Sequence, residues 1–137
     1  MRIFRPLEIA GSSLTAHRLW MELISQNMAN ANTTRTPEGG PYVRKVPIFT
    51  ERLDEALDAS PAGVRVEQIA DDTLPPRYAY QPDHPDADAE GYVAYPNVNV
   101  IREMADMMVA SRAYEANLAV VETTQSMWSS ALEALRA

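Results

Sequence analysis

Cysteine is missing altogether from these 137 residues. That leaves no disulfide framework, no thiolate nucleophile and no cysteine-based metal site. Glycine is scarce, with five residues, and they form no P-loop, dinucleotide fingerprint or nucleophile elbow. Aromatic residues make up only 7% of the chain. Hydrophobic runs are short, and none approaches the ~20 apolar residues of a membrane-spanning helix. The opening MRIFRPLEIAGSSL is interrupted by Arg5, Glu8 and Ser12, so it lacks the apolar stretch of a cleaved secretory signal. Neither catalysis nor a cofactor is expected.

What is present suits a folding chain of one domain: 46% hydrophobic residues, ten prolines and a net charge of −7. The charge is uneven. Residues 1–53 carry seven basic and four acidic groups, residues 54–98 two and ten, and residues 99–137 three and five. An acidic middle argues against a nucleic-acid partner, which needs a basic face.

Two segments carry helical periodicity. Leu7, Ala10, Leu14, His17, Met21, Ile24, Met28 and Ala31 alternate three and four apart, the seam of a heptad helix. Pro6 fits its first turn, where a missing N–H costs nothing. Leu19 and Leu23 widen the stripe, which predicts more than one neighbour for this helix. At the other end Val100, Met104, Met107, Ser111, Tyr114, Leu118, Val121, Gln125, Trp128, Leu132 and Leu135 keep the same spacing. Asn97 or Asn99 can cap the start. With no Pro or Gly from Val98 onward, this helix would run roughly 57 Å, too long for so small a chain to cover. A large aromatic such as Trp128 on it needs a covering subunit.

Between the helices the pattern changes to short β-prone segments, Tyr42–Phe49, Gly63–Ile69, Arg77–Tyr80 and Tyr92–Tyr95, punctuated by proline and glycine. Glu51–Ala59 reads as a weak helical turn. The expected fold is mainly α: long terminal helices packed as an antiparallel coiled coil, with a small β-rich middle module. The parts are residues 1–33 for the first helix, 34–97 for the loop and module, and 98–137 for the last helix.

Candidate chemistry is thin. Asp86, Asp88 and Glu90 before Gly91 match the opening of a calcium loop, but its twelfth position, which needs a bidentate carboxylate, is Asn97. His84 beside Asp83 and Asp86 is one histidine among carboxylates, a poor transition-metal set. His17 lies on an apolar face and reads as a hydrogen-bonded seam residue. Met104, Met107 and Met108 read as helix packing.

The stretch NMANANTT near the start and RAYEANLAVVETTQSM near the end resemble the paired terminal motifs of the bacterial flagellar rod, hook and axial protein family. TPEGGPYVRKVPIF, HPDADAEGYVAYPNVNVIREMADMM and SRAYEAN are similar to its proximal-rod members. The resemblance implies a non-enzymatic subunit of the basal body, exported through the flagellar type III apparatus and polymerised helically into a rod across the periplasm. Its implied partners are other proximal and distal rod proteins, the rod–export-gate adaptor, the surrounding ring proteins and copies of itself. A soluble coiled-coil adaptor or dimeric regulator is the alternative that the helices alone would allow.

Two sets of residues are therefore candidates for assembly. One is the helix seam, Leu7, Ala10, Leu14, His17, Met21, Ile24 and Met28 with Met104, Met107, Tyr114, Leu118, Val121, Trp128 and Leu132. The other is a junction of asparagines, where Asn27, Asn30 and Asn32 at the end of the first helix would meet Asn97 and Asn99 at the start of the last. An amide donates and accepts, so it can satisfy the free carbonyls of one helix end and the free N–H groups of the other.

Overall fold

The computed structural model describes residues 5–54 and 60–136. The first helix, α1, spans Arg5–Ala29. Pro6 sits in its first turn, and Ala10, Ala16, Leu23, Ile24 and Asn27 are its buried positions. The helix stops because Asn30 takes over the last turn: its backbone N–H and its side-chain amide both donate to the Gln26 carbonyl, at 3.0 and 2.9 Å. Thr33 then closes back on Asn30, and Tyr42 N–H donates to the Thr33 carbonyl at 3.0 Å, pinching off the polar loop. Gly39 and Gly40 turn that loop with φ of 91° and 76°, a region that costs other residues steric strain.

Strands β1 (Lys45–Asp54) and β2 (Ser60–Asp71) form an antiparallel hairpin that packs against α1. The register shifts twice, between Ile48 and Phe49 and between Arg52 and Leu53, which twists the ribbon. Phe49 reaches α1, where its ring lies 5.9 Å from Trp20 and 6.2 Å from His17. At Gly63 the ribbon comes so near the helix that an added Cβ would overlap the Ser12 hydroxyl. That hydroxyl accepts the Val64 N–H at 3.1 Å and donates to the Ile9 carbonyl at 2.7 Å. The weak helical turn expected over Glu51–Ala59 is corrected in part: Glu51–Asp54 continue β1, and 55–59 lie outside the described residues. The hairpin strands are longer than the expected segments because the polar residues at their ends pair across the ribbon, as Lys45 does with Asp71.

Strands β3 (Arg77–Tyr80) and β4 (Tyr92–Tyr95) make a second antiparallel pair. Between them Asp88 holds the loop, its carboxylate accepting the N–H groups of Glu90 and Tyr92. The last helix, α2, spans Val100–Arg136, ~55 Å against ~37 Å for α1. Asn99 caps it, its side-chain oxygen accepting from Ile101 and Arg102 at 3.1 and 3.2 Å.

The helices run antiparallel: the α1 start shares an apolar pocket with Thr124, Met127, Trp128 and Ala131, and the α1 end bonds Glu103. The expected class nevertheless needs correction. Half of the chain is helix and over a fifth is strand, so the fold is mixed rather than mainly α. The helix pair also shows no coiled coil in the expected sense. The line of α2 turned to α1 holds Glu103 and Ala110, each one residue before the expected Met104 and Ser111, together with the expected Met107, Tyr114 and Val121. Small side chains let two helices approach, whereas Met104 and Leu118 on the neighbouring line remain exposed.

Candidate functional site

Four elements meet in one polar cluster. Asn27, 1% exposed on α1, uses its whole amide. Its nitrogen donates to the Lys45 carbonyl at 2.9 Å and to Glu103 Oε2 at 3.1 Å. Its oxygen accepts the Lys45 N–H and the Tyr42 hydroxyl, both at 2.9 Å. The start of β1 is thereby held to α1 through both backbone groups of one residue.

Glu103, fully buried on α2, is the second half. Its other oxygen takes the Arg44 Nε–H at 2.6 Å. The Arg44 guanidinium reaches onward to Asp72 at 3.3 Å and Asp106 at 3.4 Å. Burial works against the Arg44 charge, but hydrogen bonds and charge from Glu103 and Asp72 outweigh it and hold its pKa above the ordinary value. Burial likewise raises the Tyr42 phenol, keeping it a neutral donor to Asn27. A buried carboxylate is tolerated here because both of its oxygens are satisfied, one by a charge-assisted bond.

Asn32, Asn97 and Asn99 line one hollow, but the asparagines do not share one hydrogen-bond network. Asn27 joins the helices through Glu103. Asn97 ties the module, its oxygen accepting the Arg44 N–H at 3.2 Å and its nitrogen donating to the Leu74 carbonyl at 3.1 Å. Asn30 and Asn99 each serve their own helix end, and Asn32 is exposed. No bond joins the first-helix asparagines to Asn97 or Asn99 among the described residues. The link between the helix ends runs instead from Asn27 to Glu103 and from Glu103 to Arg44.

Along α1, Ala10 and Ile24 are buried, and Leu7, Leu14, His17, Met21 and Met28 are half-buried. His17 turns to the hairpin: its Nδ1–H donates to the Ser13 carbonyl at 2.8 Å and its ring stacks beside Phe49. Along α2, Met107, Tyr114 and Val121 are half-buried, while Met104, Leu118, Trp128 and Leu132 are exposed. Ile101 and Met108 extend the uncovered apolar surface, 81% and 70% exposed.

The residues of the acidic loop are engaged locally. Asp86 accepts the Thr34 hydroxyl at 2.8 Å and pairs with Arg35, while His84 Nδ1 accepts the Asp86 N–H. Sequence reasoning passed over Tyr42, Arg44 and Glu103. Glu103 carried a usable signal, since it falls at the same three-four spacing as Ala110 and the half-buried Val121. A lone arginine in a loop carried none.

Comparison with known proteins bears on the whole chain. A family model described as "Flagellar basal body rod FlgEFG protein C-terminal" matches residues 89–134, a span holding β4, Asn97, Asn99, Glu103 and most of α2. The flagellar basal-body rod protein FlgC of Borreliella burgdorferi is 43% identical, over 99% of this chain and of the relative. The proteins of the same name from Yersinia enterocolitica and Bacillus subtilis are 42% and 37% identical. They match over 93% of both chains in the first case, and over 97% of this chain and 98% of the relative in the second. Similarity so continuous takes in both helices, the polar cluster and the module between them, and on that ground the chain belongs to the flagellar basal-body rod protein FlgC family.

Proposed function

We propose that this chain is a non-enzymatic structural subunit of the flagellar rod and polymerises helically through the open face of α2. The observation that carries the reading is the uncovered apolar surface of α2 on a chain that matches rod proteins from end to end. Within one chain α1 takes up one side of the helix. Its other side keeps Ile101, Met104, Met108 and Leu118 in water, at a cost of about 25 cal/mol for each Å² of apolar surface. Neighbouring subunits remove that cost. A contact between two different patches does not close on itself, so it extends into a helical assembly.

The polar cluster has a separate task in this reading. It sets the angle between the helix pair and the hairpin, so that every subunit presents the same shape to its neighbours. The partners are other proximal and distal rod proteins, the rod–export-gate adaptor, the surrounding ring proteins and further copies of the chain. Passage through the flagellar type III apparatus delivers it, and no described helix is long and apolar enough to cross a membrane.

The test is co-purification. In cells lacking the endogenous gene, an epitope-tagged copy should restore swimming and appear in isolated basal bodies at fixed stoichiometry. Restored swimming with the tag absent from basal bodies would remove the structural reading. A closed dimer in sedimentation that neither extends nor joins basal bodies would favour a soluble adaptor instead.

A further inference from the structure

The cross-strand pairs of β3 and β4 sort their side chains onto two faces. Arg77, Ala79, Val93 and Tyr95 share one face, and the burial of Val93 marks it as the inner one. Tyr78, Tyr80, Tyr92 and Ala94 share the other. Tyr78 and Tyr80 are 63% and 65% exposed, and the Tyr80 and Tyr92 rings meet edge to face at 5.3 Å. Among the described residues none of these three hydroxyls has a hydrogen-bond partner. The acidic loop adjoins them, for Tyr80 packs over Gly91 and Asp88 is bonded to Tyr92. Asp83 and Glu90 on that loop are exposed and face no cation among the described residues.

The opposite imbalance occurs on the hairpin. Register places Arg52, Thr50 and Arg65 on one face of β1–β2. Arg52 and Arg65 are exposed, and neither meets a carboxylate among the described residues; Arg65 touches only the Thr50 hydroxyl at 3.4 Å. Most other described arginines are engaged, Arg18 with Glu22, Arg35 with Asp86 and Arg112 with Glu115. Arg77 lies 5.4 Å over the Tyr95 ring, so this module already seats one guanidinium on a tyrosine.

We infer that the outer tyrosine face of β3–β4, with its acidic loop, docks the Arg52–Arg65 face of the hairpin of a second copy of this chain. The occupant follows from charge. Two unneutralised carboxylates beside three open rings call for arginines, which stack on tyrosine and pair with carboxylates at once. The hairpin supplies two from a face of the same chain that is short of carboxylates. Because the two patches lie on different sheets, the contact is heterologous and repeats without closing. Tyrosine and arginine are also the residues most enriched in the energetic centres of interfaces. The inference rests on the rod reading above but names a contact outside the helices.

The absence of native cysteine makes a cross-linking test clean. A chain carrying both Tyr80→Cys and Arg65→Cys, incorporated into basal bodies and oxidised, should give a ladder of disulfide-linked dimers and higher multimers. Either single variant should stay monomeric, and a mixture of the two singles should stop at dimers. As a second measurement, Arg65→Glu should lower the amount of chain in basal bodies about tenfold, and adding Glu90→Arg on the same chain should restore it. Normal incorporation without intermolecular disulfides, or cross-links only to a different protein, would overturn the docking, and so would a charge exchange that restores nothing. Absence of the unmodified chain from basal bodies would instead overturn the rod reading, and this contact with it.

Discussion

The two helices of this subunit differ in how far a single chain can finish them. In α1 five positions are buried, and its stripe is met by α2 on one side and by the hairpin on the other. In α2, half as long again, Glu103 and Ala110 alone are buried among the described residues, and Met104, Met108, Met127, Ile101 and Leu118 face solvent. Helix stability in proteins comes mostly from packing of an apolar face. The contrast shows that a single chain completes α1 and leaves one side of α2 open, the side proposed above for assembly.

That division can be broken by mutation, beginning with the largest effect on the free subunit. Arg44→Ala strands the buried Glu103 carboxylate and should cost about 3–5 kcal/mol, while Glu103→Ala, which leaves Arg44 paired with Asp72 and Asp106, should cost less; both are read as a lower urea midpoint. An unchanged midpoint in either variant would show that the cluster does not hold the elements together. Ile24→Ala empties a core position and should cost about 2–5 kcal/mol. Met104→Ala, its counterpart on the open face of α2, should stay within ~0.5 kcal/mol. Equal losses at both would abolish the contrast.

Smaller effects sharpen the role of the asparagines. Asn99→Ala removes a helix cap worth ~1 kcal/mol. Combined with Asn30→Ala it should add within ~0.3–0.5 kcal/mol, because the two lie in separate networks, whereas Asn27→Ala with Glu103→Ala should show coupling of about 0.5–3 kcal/mol. The reverse result would restore a junction of asparagines alone. The smallest expected change is in Leu118→Asp, within ~0.5 kcal/mol for the free subunit. Motility assays and electron microscopy of basal bodies should nevertheless show loss of swimming and of rods. Normal swimming would mean that this face of α2 is not buried in assembly.

Much of the architecture was legible from residues. The bounds of β3 and β4 coincide with the expected segments, and Leu19 and Leu23 announced a second neighbour for α1. The offset on α2 was not legible, for a physical reason. A heptad reading follows large apolar residues, but the line turned to α1 alternates Met107, Tyr114 and Val121 with the polar or small Glu103, Ala110 and Asn117, while Met104 and Leu118 stay exposed. The polar cluster escaped for another reason. Arg44 and Glu103 are 59 positions apart, and nothing local distinguishes a buried ion pair from two solvated charges. Asn27 was singled out as a helix terminator, yet two of its four bonds hold the first residue of a strand.

That clamp on Lys45 has a mechanical consequence. Loads on a rotating shaft arrive as shear between neighbouring subunits. The chain from Asn30 to Tyr42 is only an indirect path between α1 and the hairpin. With the N–H and the carbonyl of Lys45 both bolted to α1, and Arg44 keyed into α2, a sideways force on either helix reaches the hairpin through short bonds. To slip, the hairpin must break several of them at once, as a pinned joint fails only when all its pins shear together.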